Sequence, residues 1–109
     1  MTAFEVLADP VRRRVLELLP GRERAAGDLT CVVQAEFGLT QPAVSRHLKV
    51  LRDSGFMVVR VDGARRMYTL TADPLLQVDA WLDQFRAFWP ARLDALATEV
   101  ARGQKRRRR

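Results

Sequence analysis

The chain has 109 residues, 48% of them hydrophobic, and a formal charge of +6, which is enough for one compact domain with a modest core. Its single cysteine, Cys31, excludes an intrachain disulfide, and its single histidine, His47, leaves it poorly supplied with zinc-type ligands. No apolar run approaches the roughly 18 residues that cross a bilayer, and the opening MTAFEVLADPVRRR lacks the apolar stretch of a signal peptide, so a soluble, cytoplasmic protein with no membrane partner is expected.

In TAFEVLADPVRRRVLELLPG, Asp9 is a good N-cap and Pro10 suits a first turn, which predicts two helical pieces meeting there. Val11, Val15, Leu18 and Leu19 then recur at helical spacing until Pro20-Gly21 ends the run. Another helix is predicted within Ala25 to Phe37, closed by Gly38. In LTQPAVSRHLKVLRDSG, Leu39 to Gly55, Thr40 is placed to cap, Pro42 falls in the first turn, and Gly55 can take the left-handed closing conformation. Val44, Leu48 and Leu51 lie at i, i+4 and i+7 and form an apolar stripe; Pro42, Ser45, Arg46, Lys49, Arg52 and Asp53 lie on the other side.

FMVVRVDGARRMYTL reads as a hairpin of two β-rich runs around Asp62-Gly63. From Asp73, an N-cap followed by Pro74, a long apolar periodicity runs to about Ala101. Leu75, Val78, Leu82, Phe85, Trp89, Leu93, Leu96 and Val100 form one seam, flanked by Trp81 and Phe88. That face is too wide for the surface helix of a monomer and predicts pairing with a partner. Pro90 inside the pattern removes the hydrogen bond to the Arg86 carbonyl, which predicts a kink or break between Arg86 and Pro90.

Charge is unevenly spread along this framework. Residues 1–39 carry five basic and six acidic side chains, residues 40–66 carry six and two, and the last five residues, KRRRR, are all basic. Residues 1–103 are therefore expected to form the domain and residues 104–109 a disordered basic tail, while the basic central segment suits a polyanion. A short helix, a Gly-containing turn and a basic helix make a helix-turn-helix, and the hairpin follows it. A recognition helix needs short polar groups near its N-terminus for base edges and longer cations for phosphates; Gln41, Ser45, Arg46 and Lys49 supply both.

Other chemistries are poorly supported. There is no nucleophile with a matching base, no Gly-rich phosphate loop and no convincing carboxylate pair, so no enzyme is expected; Asp79 and Asp83 read as a solvated helix face. Cys31, between Leu29 and Val32-Val33, reads as a small buried hydrophobe in preference to a sensor thiol. His47 has no second ligand at i±3 or i±4 and reads as a phosphate or base contact or a packing residue.

The segments DPVRRRVLELL, LTQPAVSRHLKVLRDSGFMVVRVDGARRMYTL and the helix opening DPLLQVDAWLDQF together resemble the ArsR-type family of winged helix-turn-helix repressors, from about Phe4 to Val100. The resemblance implies a mainly α fold with a small β-hairpin and a long C-terminal dimerisation helix. It also implies a homodimer on a double-stranded DNA operator, with the recognition helix in the major groove and the hairpin wing along the backbone or minor groove. By position, Thr40, Gln41, Pro42, Ser45, Arg46, His47 and Lys49 would be the helix contacts and Arg60, Arg65 and Arg66 the wing cations. The first and last helices build the dimer in the family, which enlists Phe4 and Leu7 beside the C-terminal seam.

Two departures stand out. GDLTCVVQAEFGL is longer than is usual for the family by about one helical turn, so the preceding helix should be extended. Many members sense metal through a Cys-x-Cys pair there or through Asp and His ligands on the last helix; this chain has neither, so no metal and no cofactor is expected. Two other readings remain: a winged helix that sequesters a protein partner, and a regulator whose Trp81, Phe85, Phe88 and Trp89 line a pocket for an apolar effector.

Overall fold

A computed structural model describes residues 1–88, 96 and 98–100. The elements in order are α1 (Ala3–Leu7), α2 (Pro10–Glu17), β1 (Arg24–Ala25), α3 (Ala26–Phe37), α4 (Gln41–Asp53), β2 (Met57–Asp62), β3 (Arg65–Leu70) and α5 (Asp73–Arg86). The chain divides into two units, Met1–Val78, which carries the winged helix, and Asp79–Arg109.

The helix boundaries follow from side chains that meet otherwise unpaired backbone groups. Asp9, the residue before Pro10, accepts from the N–H groups of Val11 at 2.8 Å and Arg12 at 3.2 Å and so caps the start of α2. Thr40 Oγ1 accepts from the Ala43 N–H at 3.3 Å and starts α4. Gly38, at φ 66°, closes α3. At the end of α4 the Phe56 N–H donates to Leu51 O at 2.9 Å and the Gly55 N–H donates to Arg52 O at 3.1 Å, with Gly55 at φ 79°. This paired arrangement is a Schellman cap, and it needs a residue that tolerates positive φ at that point.

The core of the first unit draws on every element before α5. Val6 of α1, Val11 and Val15 of α2, Leu29 and Val33 of α3, Val44, Leu48 and Leu51 of α4, Met57 of β2 and Tyr68 of β3 are buried, together with Phe56 at the α4–β2 junction. Each large side chain so buried contributes roughly 1.5–3 kcal/mol of transfer free energy. Leu16 and Leu19 are buried while Leu18, the C-cap of α2, is half-buried, so the inward face of that helix takes in Leu16 as well as the periodic set expected.

Three features differ from the sequence expectation. The sheet has three strands, not two: β1 pairs antiparallel with β3, giving the order β1-β3-β2. A two-residue strand carries too little alternation to register as a pattern. In the hairpin, Asp62 pairs with Arg65, so the loop is Gly63-Ala64 and not Asp62-Gly63. Gly63 takes φ 61° and no non-glycine residue among the described residues has positive φ, Ala64 included, the pattern of a type II′ turn with glycine first. Cys31 is exposed, not a buried member of an apolar face, because Leu29 and Val33 point inward and Cys31 lies between them on the opposite side of α3.

α5 ends at Arg86, and the Phe88 N–H donates to Phe85 O at 2.9 Å in the turn that follows. This agrees with an interruption after Arg86; Pro90, Trp89 and Leu93 lie outside the described residues. Leu96 and residues 98–100 are helical. Asp79 and Asp83 lie on an exposed helix face, as expected, and both pair with Arg86, two turns and one turn further along α5 respectively.

Candidate nucleic-acid interface

With Val44, Leu48 and Leu51 fixed in the core, the 3.6-residue repeat of α4 sets where every other side chain goes. Gln41, Ser45, Lys49 and Arg52 form one stripe along the helix, with Pro42 and Arg46 beside it; apart from the half-buried Arg52, these residues are exposed. The Arg46 Nε–H donates to Pro42 O at 3.4 Å, which lays the guanidinium back along its own helix. His47 is half-buried on the far flank of the buried stripe, between Ala43 and Val50, and so faces away from Gln41 and Ser45. Thr40 is occupied as the helix cap.

The Gln41–Arg52 stripe borders a groove of about 550 Å³. Its opposite wall is Gly27, Thr30, Cys31 and Gln34 of α3, at i, i+3, i+4 and i+7, and Arg66 and Tyr68 of β3 close one end. The structure thus brings Gln41, Ser45 and Lys49 together with one wing cation, Arg66. Arg65 lines a smaller cleft of about 410 Å³ between the hairpin tip and the start of α3, which Arg66 also borders. Among the described residues neither Arg65 nor Arg66 has a carboxylate partner. Thr30 and Gln34 were not singled out in the sequence, and Arg52 was read there only as part of the polar side of the helix. The polar spacing of Gly27, Thr30 and Gln34 on α3 was the available signal, and it is weak without knowing which way the helix faces.

Arg60 behaves differently from the other wing cations. Its Nη2 and Nε donate to Glu23 Oε1 and Oε2 at 2.6 and 3.1 Å. The shared hydrogen bonds raise the Arg60 pKa and hold the Glu23 carboxyl below the usual carboxylate range. A second two-pronged pair, Arg14 with Glu36 at 2.8 and 3.0 Å, links α2 to the last turn of α3 and lowers the Glu36 pKa in the same way.

The residues expected to pair two chains are only partly covered by their own chain. Leu7 and Leu75 pack against the core. Val78, Leu82 and Phe85 are half-buried, while Phe4, Trp81, Phe88 and Leu96 are exposed, Phe88 by 82%. The Trp81 and Phe85 rings meet edge to face, with centroids 4.8 Å apart. In α5 only Pro74 is fully buried.

The described residues hold no group of three or more His, Cys, Asp or Glu side chains able to hold a metal ion. No described helix is long and apolar enough to cross a membrane.

Residues 7–60 match the family described as a helix-turn-helix domain. The HTH-type transcriptional regulator Rv2034 of Mycobacterium tuberculosis is 36% identical over 83 residues, covering 76% of this chain and 74% of that protein. Rv0081 of the same organism, an uncharacterized HTH-type transcriptional regulator, is 36% identical over 75 residues; the match covers 69% of this chain but only 63% of that protein's length. Among solved structures, an ArsR family transcriptional regulator, RHA00566, superposes with a TM-score of 0.68 at 30% identity, over 80% of this chain and 86% of the other. Mb0332 of Mycobacterium bovis, described as a homodimeric winged helix-turn-helix DNA-binding domain and a possible ArsR-family regulator, superposes with a TM-score of 0.56 at 27% identity, over 73% and 76% of the two chains.

Proposed function

This chain belongs to the ArsR-type family of winged helix-turn-helix transcriptional regulators, and from that premise we propose that it is a homodimeric, sequence-specific DNA-binding repressor that works without a bound metal. The observation that carries the reading is the groove that gathers Gln41, Ser45 and Lys49 of α4 with Arg66 of the wing. Gln41, Ser45 and Arg46 meet base edges in the major groove, with Thr40 and Pro42 at the helix entry against the backbone, and Lys49 meets a phosphate. Arg65 and Arg66 neutralise phosphates beside the recognition helix. His47 supports the helix from its half-buried flank.

The homodimer is supported by the homodimeric description of Mb0332 and by the exposure of the apolar side chains Trp81, Phe88 and Leu96 of the second unit. A metal inducer of the kind some family members use does not fit these residues, since a tight site needs three or four converging ligands and the chain has one cysteine and one histidine.

The test is binding to a mixed-sequence duplex and to duplexes selected from a random library, followed by fluorescence anisotropy over a range of salt. Selection should enrich one motif, and replacing Arg65 and Arg66 together with alanine should flatten the slope of log affinity against log salt by up to about 2. No enrichment and no salt dependence would favour a protein-sequestering winged helix; enrichment with an unchanged slope would remove the wing from the DNA backbone.

A further inference from the structure

The wing is anchored to the body over a short distance. β1 touches β3 only through Arg24↔Tyr68 and Ala25↔Met67, and β2 is the opposite edge of the sheet, with no strand on its other side among the described residues. Above the row that runs Ala25, Met67, Arg60, the hairpin projects as a two-stranded ribbon: Val61↔Arg66, Asp62↔Arg65 and the Gly63-Ala64 loop, with Val61 70% exposed. A ribbon of two strands holds its position poorly unaided. Glu23, in the segment entering β1, reaches across β3 to Arg60 in that last three-stranded row and accepts from its Nε and Nη2 in a two-pronged ion pair. Arg65 and Arg66 beyond it have no such partner among the described residues.

We propose that Glu23 is a positioning residue of the wing: its ion pair with Arg60 fastens the outer strand to the body at the base of the ribbon and withdraws Arg60 from the phosphate-binding set. The inference rests on the DNA-binding reading for its purpose, since the clasp sets where Arg65 and Arg66 sit relative to Lys49. An isolated surface ion pair is weak, but two parallel hydrogen bonds with matched planar geometry are the arrangement in which one acts as a fastening.

Glu23→Gln and Arg60→Gln change the net charge in opposite directions, yet both remove the clasp. Amide hydrogen exchange from Val59 to Arg66, measured without DNA, should quicken in both by about 2- to 5-fold. The charge-conserving exchange, Glu23→Arg with Arg60→Glu, should return those rates toward the original. It should also bind the mixed-sequence duplex with an unchanged salt slope, although position 60 then carries a carboxylate. Unchanged exchange in both single variants overturns the proposal, and so does a slope reduced by about 0.9 in Arg60→Gln, the mark of a lost phosphate contact. Failure of the unaltered protein to bind DNA would defeat the DNA-binding reading alone, because the exchange rates report the clasp without it.

Discussion

Arg46 and Lys49 are both exposed cations on α4, separated by less than one turn, yet their chemistry divides their roles. A guanidinium can take a guanine edge with two hydrogen bonds, whereas an ammonium acts as a point charge. Arg46→Ala should cost about 1–3 kcal/mol on the selected motif and relax one base position, while Lys49→Ala should weaken all duplexes alike. Equal, sequence-blind losses in competition binding would remove Arg46 from base reading. Cys31 supports a second prediction at this scale. The thiol is exposed on the wall of the groove, opposite Ser45 and Lys49. A bulky maleimide there should weaken DNA binding at least about tenfold by filling space a duplex needs, and Cys31→Ser should bind normally and resist the reagent. Zinc, cadmium and arsenite should leave binding unchanged in both proteins, because one thiolate offers a metal too few ligands. Release by an ion that the serine variant abolishes would make Cys31 a sensor after all.

Among the elements, the join between α4 and the wing is short and closely specified. Only Ser54, Gly55 and Phe56 separate α4 from β2, Phe56 is wholly buried, and Gly55 sits at φ 79°. A β-carbon at Gly55 would meet Pro74 Cγ at 3.8 Å, an ordinary contact, so the penalty for alanine is conformational. Gly55→Ala should cost about 1–2 kcal/mol in urea unfolding, and a value near zero would mean that the turn can reorganise without positive φ. Legibility at this scale tracked how much chemistry each boundary spends on it. Asp9, Thr40, Gly38 and Gly55 announced their helix ends because each meets a specific backbone demand, and the α4 stripe was plain because Val44, Leu48 and Leu51 keep strict spacing. β1 was not legible, since a strand of two residues owes its existence to β3 lying beside it. The facing of α3 was also hidden: Cys31 looks apolar by its neighbours, and only tertiary packing shows which of them turn inward. Arg60 was readable as a basic wing residue, but its partner Glu23 is 37 residues away, and no local pattern connects them.

At the level of the whole molecule, α5 is an amphipathic helix whose apolar side is not fully enclosed by its own chain, with Trp81 47% exposed. The surface is expected to be covered by a second copy, so Trp81→Ala should leave the monomer's core intact and act on association. Loss of a buried aromatic contact of about 1.5–3 kcal/mol raises the dimer dissociation constant roughly 10- to 150-fold, which sedimentation over a concentration series would read. Unaltered association with altered response to small apolar compounds would instead assign the aromatics to an effector pocket. The position of these parts along the chain has a further effect, on the order in which the protein is made. The groove draws on residues 26 to 68, all of which precede α5. Synthesis proceeds from the N-terminus and short-range contacts form fastest. The three-residue passage from α4 into β2 makes the helix and the wing neighbours in sequence as well as in space. On the proposed reading, a growing chain would have the material of its reading surface in hand before α5 emerges, and the last step of maturation would be a meeting of two chains, set by how many have been made.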